Sequence, residues 1–225
     1  MTDLMNILAD DIVVAYPAQL DALHERCGPG NLTASTTGYS LASPARLPGA
    51  TDSPLRRFGL AFTTARSAAG PGAAAEGPGQ FSAAAEGPGQ FSAAAEGPGQ
   101  FNTAEQFACG LLALHRDLLR RALQHTLYHL EGRTSGGTTL LSRQLVQGQL
   151  ADIAMALSAE NAMPQDRREG DLLARWRSHQ RMVAAGRELV RLLGASGFLI
   201  DGPAADLYLA EVAGNVYLHP GECDD

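Results

Sequence analysis

His125 and His129 stand four residues apart in the stretch HTLYH, where one helical turn lets both rings share a face as metal ligands do. The stretch lacks the Glu of a zinc-protease helix, and no third ligand accompanies the pair. A structural role for both rings is therefore the simpler reading, and no metal site is expected. Nucleophilic and phosphate-binding chemistries leave no trace either. Cys27, Cys109 and Cys223 and the serines sit in no nucleophile signature, and the glycine turns spell neither a P-loop nor GxGxxG. Three widely spaced cysteines without a CxxC pair fit a reduced, cytoplasmic chain better than a disulfide or zinc framework. By motif alone the residues name no reaction.

The elements that would position such residues are mostly helical. Residues 103–131 place Leu112, Leu119, Leu123, Leu127 and Leu130 on one face of a long helix, closed by the glycines of GRTSGG at 132–137. A second helix over about 140–160 aligns Val146, Leu150, Ile153 and Leu157. A third, over about 168–194, aligns Leu172, Trp176, Val183 and Val190 and carries seven arginines from Arg167 to Arg191 on its other faces. After the turn GASGFLIDGP comes a shorter fourth helix, over about 204–213. None of these can bury its own stripe, so the spacing predicts a mainly α fold, an antiparallel helical bundle. Upstream, Leu4, Ile7, Leu8, Ile12 and Val13 predict a short helix within 4–26, stopped by CGPGN, while GYSLAS (38–43) and FGLAFTT (58–64) read as short strands in a loop-rich region.

Between these parts runs AAAEGPGQFSAAAEGPGQFSAAAEGPGQFN, residues 73–102, a ten-residue unit written three times. Each unit joins a helix-former to a breaker and offers one large apolar residue (Phe81, Phe91 or Phe101), too little to offset the entropy of ordering ten backbones at about 1 kcal/mol or more each. The organisation expected is a reduced N-terminal region at 1–72, a linker at 73–102 and a bundle at 103–225. A net charge of −7 with no Lys/Arg cluster argues against a nucleic-acid partner. No apolar run approaches the roughly 18 residues of a membrane span, and the acidic start MTDLMNILADD does not resemble a signal peptide.

RTSGGTTLLSRQLVQGQLADIAMAL (133–157) resembles the C-terminal domain of acyl-CoA dehydrogenases, in which R-x-x-F-G precedes a glutamine-bearing helix and L-A-D. Arg133, Gly137, Gln144 and Leu150-Ala151-Asp152 fall on those positions. LLGASGFLIDGPAADLY (192–208) is similar to the family's L-H-G-G-x-G-Y turn and the P-x-x-R-L-Y after it, through Gly194, Gly197, Phe198, Pro203, Leu207 and Tyr208. The resemblance spans 103–222. Segments 36–50 and 53–69 resemble strands of the family's flavin-holding β-domain, most of which, with most of the N-terminal helical domain, is expected to be missing. AEGPGQF is similar to the loop L-G-E-P-G-x-G-F that leads into the first bundle helix, so the repeat reads as an expanded hinge.

What the resemblance implies is FAD-dependent oxidation of an acyl thioester, with a carboxylate base. The family's E-G-T turn aligns with VYLHPGE, so Pro220 occupies the position of the catalytic Glu, and proline accepts no proton. Glu222 and His219 beside it are the candidate replacements. Relatives with a base on the first bundle helix would place it at Phe107, which makes Glu105 a third candidate. Arg133, Gln144, Gly194 and Gly197 match cofactor-binding positions, the first two toward the FAD of a neighbouring subunit. Arg133 equally suits a helix C-terminal cation facing the macrodipole. The second glycine of the paired glycines is Ala195 here, and Leu209-Ala210 stand where Arg-Asp is expected. Three roles stay open. One is a companion subunit in a homo- or hetero-oligomer with a full-length acyl-CoA dehydrogenase, completing its FAD site. The others are an FAD-dependent acyl-CoA dehydrogenase active by itself and a flavin-free helical interaction module.

Overall fold

The computed structural model describes residues 15–50, 53–64, 103–162, 171–198 and 202–221. The repeat, the apolar positions between Leu4 and Val13, and Glu222 lie outside them. Among the described residues the chain forms α1 (Tyr16–Cys27), the antiparallel pair β1 (Tyr39–Ala42) and β2 (Ala61–Thr64), and the long helix α2 (Thr103–Glu131). A small hairpin, β3 (Thr134–Ser135) with β4 (Thr138–Thr139), leads into α3 (Gln144–Ala162), α4 (Leu172–Leu193) and α5 (Pro203–Tyr217). The fold is mainly α: a helical bundle of α2 to α5 with α1 and the two-stranded ladder packed on it. No helix of the described residues is long and apolar enough to cross a membrane.

Local chemistry fixes these boundaries. Pro17 pre-sets the first turn of α1, and Gly28 closes it at the predicted CGPGN stop. The Asp171 carboxylate accepts the Ala174 N–H and caps α4. At the other end Gly194 takes a positive φ of 61° and donates its N–H to the Arg191 carbonyl, a helix end that glycine adopts without a Cβ penalty. The fourth helix runs on to Tyr217, beyond the expected residue 213.

One core joins all of this. Leu111, Leu112, Leu119 and Leu130 of α2 pack with Leu150, Ile153 and Leu157 of α3, Leu189 of α4 and Leu209 of α5, and the same cluster takes in Tyr16, Leu20 and Leu23 of α1. The stripes expected on α2 and α3 therefore face the core, although Leu123 and Val146 are half-buried and Leu127 is exposed. Gly110 lets α1 close on α2, since a Cβ there would lie 2.4 Å from Leu23 Cδ1. β1 is tied in by polar contacts: the Tyr217 hydroxyl accepts the Leu41 N–H at 2.7 Å. His24 accepts the Thr33 N–H at Nδ1 (3.1 Å) and donates from Nε2 to the Leu41 carbonyl (2.8 Å).

The stripe expected on α4 is wrong by about one residue. Its buried face is Arg175, Ser178, His179, Met182, Ala185, Gly186, Leu189 and Leu193, while Leu172 is exposed and Trp176, Val183 and Val190 are half-buried. Arg175, at 3% exposure, also departs from the expectation that the arginines occupy the other faces. The physical reason is that polar side chains face inward, where Ser178 and His179 meet partners. Ser178 bonds the buried Glu160 carboxylate of α3, which also pairs with Arg181 at 2.6 Å. His179 bonds Asn215 of α5. Hydrophobicity alone therefore pointed to the adjacent face.

Candidate functional site

Two places in the bundle gather polar chemistry. The first is the end where α2 stops. Arg133 Nη1 lies 3.3 Å from His129 Nε2, and Ser196 Oγ, in the turn after α4, lies 3.0 Å from the same nitrogen. A guanidinium only donates, so that nitrogen accepts and is unprotonated. Desolvation, then the charge of Arg133, then His125 hold the His129 imidazole below its ordinary value. The rings of His125 and His129 stack 6.4 Å apart, and among the described residues no group of three or more His, Cys, Asp or Glu could hold a metal. Through His129 the fold thus brings Arg133 to the 194–198 turn that carries Gly194 and Gly197. A Cβ at Gly197 would lie 2.9 Å from the Val190 carbonyl, so this glycine serves the turn itself. Gln144, exposed, opens α3 just beyond the hairpin, whose Ser135 carbonyl accepts from Arg143 at 2.6 Å.

An FAD pyrophosphate would suit this end. Arg133 and Arg143 are exposed, and among the described residues neither pairs with a carboxylate, which leaves both free to donate to phosphate oxygens. The two-stranded ladder β1–β2 packs on the bundle through Leu41, His24 and Tyr217.

The second place is a cavity of about 480 Å³ between α2, α4 and α5, closed on one side by Phe58. Leu119, Met182, Val183, Val190 and Leu207 supply apolar wall, and the buried rings of His115 and His179 stand within it. At the rim Arg187 bonds Glu211 at 2.5 Å, and Arg191 pairs with Glu188. His115 Nε2 lies 2.7 Å from the hydroxyl of the fully buried Tyr16, and His179 Nε2 lies 3.2 Å from Asn215 Oδ1. Desolvation holds both imidazoles below the ordinary value, that of His115 well below, where His179 adds to the effect. Both rings are neutral at pH 7.

Of the three candidate bases Glu222 lies outside the described residues, and Glu105 and His219 fall in neither place. Glu105 is half-buried in the first turn of α2, and Phe107, two residues on, is fully buried against His24 and Tyr217. His219 is exposed, accepts the Gly221 N–H at 3.1 Å, and lies edge-on to Trp176 at 4.9 Å. Neither Glu105 nor His219 lines the cavity. Sequence reasoning missed His115 and His179. The first falls between Leu112 and Leu119 on the apolar stripe of α2, which marks it as inward-facing; the second was hidden by the misassigned face of α4.

A helical bundle with an uncompensated basic end and an apolar internal cavity is the class of domain these observations define. Residues 108–213 match the family model for the C-terminal domain of acyl-CoA dehydrogenases. Among solved structures, butyryl-CoA dehydrogenase from Megasphaera elsdenii is similar at 17% identity and a TM-score of 0.43, over 52% of this chain and 33% of its own. The chain thus spans about a third of that relative's length. No curated protein matches it.

Proposed function

We propose that this chain is a companion subunit: its bundle pairs with a full-length flavin-dependent acyl-thioester dehydrogenase, and Arg133 lies against that partner's FAD. The observation that carries this reading is the outward face of α3. That helix has no Lys or Arg, and Leu145 and Met155 on it are 76% and 62% exposed. A helix apolar on more than its core face is one that packs against something further, and obligate partners bury large apolar surfaces. Gln144 begins the same helix, close in sequence to the hairpin that follows Arg133, so a partner on α3 also approaches the basic end.

The placement of His219 and Glu105, the two candidate bases among the described residues, favours this role over independent catalysis. General-base catalysis requires hydrogen-bond reach to the substrate carbon's proton. Pro220 supplies no base, His219 is turned to Trp176, and Glu105 stands in a first helical turn where a carboxylate complements the helix dipole. Bound FAD supplies the hydride acceptor in this chemistry; the contribution of this chain is a cation at the cofactor's edge.

Co-expression of the tagged full chain with full-length acyl-CoA dehydrogenases tests the proposal. The expected result is a stoichiometric yellow complex that Leu145→Lys with Met155→Lys dissociates. Arg133→Ala is expected to leave the complex assembled and weaken FAD retention about tenfold, the loss of one charge-assisted hydrogen bond. A stable monomer with no affinity for any such enzyme would refute it.

A further inference from the structure

The cavity among α2, α4 and α5 has no part in the pairing or in the basic end, and its chemistry selects a ligand of its own. Its volume of about 480 Å³ lies within the range of small-molecule sites, roughly 300–1,000 Å³. The walls from Leu119, Met182, Val183, Val190 and Leu207 are aliphatic. The rim arginines are already bonded to Glu211 and Glu188, so no free cation waits for a carboxylate or phosphate. The inner rings are neutral. An anion or a cation would each enter without a free counter-charge, at a desolvation cost of several kcal/mol.

Two polar groups remain to be satisfied inside: His179 Nε2 donates to Asn215 Oδ1, which leaves its buried Nδ1 an acceptor without a partner, and the second is on His115. The Tyr16 hydroxyl is fully buried, and among the described residues its bond is to His115 Nε2. If the ring donated to it, the phenol hydrogen would be left without an acceptor in the core. The phenol therefore donates, Nε2 accepts, and the neutral ring carries its proton on Nδ1. No described residue accepts from that N–H, and His115 is a wall of the cavity. Tyr16 thus sets the tautomer that gives an apolar cavity a single hydrogen-bond donor.

We infer that this cavity is a binding site for a neutral, largely apolar carbonyl compound, a ketone or quinone, whose oxygen accepts from His115 Nδ1–H. Neither FAD nor the partner subunit takes part, so the inference stands or falls apart from the proposed function.

The fluorescent probe prodan, a neutral naphthyl ketone, tests it with the full chain. Saturable one-site binding with blue-shifted emission is expected, about tenfold tighter than that of propylnaphthalene, which has a similar shape without the carbonyl. Val183→Trp, at a half-buried wall position, is expected to fill the space and abolish binding of both. Tyr16→Phe removes the group that fixes the tautomer, and the preference for the ketone is expected to fall toward parity while the hydrocarbon still binds. Absence of saturable binding, equal affinity for ketone and hydrocarbon in the native chain, or binding that survives Val183→Trp would each overturn the inference. Should Tyr16→Phe fail to fold, as circular dichroism would show, the ketone-to-hydrocarbon ratio and Val183→Trp still decide it.

Discussion

Gly214→Ala isolates the contact that seats α5 on α4. A Cβ at residue 214 would lie 2.0 Å from His179 Cε1, 2.3 Å from Nδ1 and 2.5 Å from Nε2. Ordinary carbon contacts lie at about 3.5–4.0 Å, so the overlap is roughly 1.5 Å against a ring. The ring borders the cavity among α2, α4 and α5, but swinging into it would break its bond to Asn215. His179 is 0% exposed, its Nε2 is bonded to Asn215, and the rings of Trp176 and His115 stand 5.5 and 5.7 Å away on its other sides. Overpacking of this kind costs about 1–3 kcal/mol or more, against a gain of roughly 1 kcal/mol from replacing a helical glycine by alanine. The clash wins, because a backbone-borne methyl cannot turn aside. A net loss of about 2 kcal/mol corresponds to a fall in Tm of about 4–8 °C for a chain of this size. Urea melts followed by circular dichroism measure it. His179→Ala removes the obstructing ring, so the double variant should be more stable than the sum of the single effects by about 1–3 kcal/mol. A Gly214→Ala variant more stable than the parent, or additivity of the two substitutions, would refute the clash.

Acid should destabilise the fold well before its carboxylates titrate. Burial holds the His24, His115 and His179 imidazoles below the ordinary 6.5, so the unfolded chain binds more protons; stability is full above that pH and falls as pH drops through the folded values. Each ring contributes a slope of up to about 1.4 kcal/mol per pH unit, read from urea melts between pH 8 and about pH 5. Asp206 acts in the opposite sense: burial raises its carboxyl above the ordinary 3.8, which offsets part of the loss at the acid end. Deletion of residues 73–92, two copies of the repeat, should leave the helical signal of the remaining chain and its Tm unchanged, because every side chain of the described core lies outside that segment. A large loss of helicity by circular dichroism would show the repeat to be structural.

The ends of α2 were legible because they are written in local chemistry. A run of leucines at helical spacing begins and stops between glycine-rich segments, and the helix found, Thr103–Glu131, has the expected bounds. α3 was legible for the same reason, through Leu150, Ile153 and Leu157. α4 was not, because the side chains that decide its orientation are polar and their partners are remote in sequence: Glu160 for Ser178, Asn215 for His179. Period-based reading ranks Val183 and Val190 above His179, and nothing within the helix corrects it. At the basic end the reverse holds. Arg133 and the 194–198 turn were named from a resemblance in chain order, and the fold brings them together through Ser196 and His129, a contact that neither residue type announces.

The misread face of α4 and the missed cavity have one cause. His179 meets Gly214 while Gly186 meets Leu207, so α4 and α5 run antiparallel, and the closest approach is at the His179 end. Toward the start of α5 the facing residues are Ala204 and Ala205, too small to reach Val190 across the gap. Valines that a sequence reading assigns to the core therefore border a void instead. Small residues on one helix and branched ones on the other would pack if the axes stayed close; the neutral ring at 179 and the glycine at 214 fix where they do. A half-open cavity lined by aliphatic groups forfeits dispersion contacts along those walls. A site that keeps that deficit, with Phe58 as one wall and a lone N–H donor oriented by Tyr16, is built to recover it from a ligand.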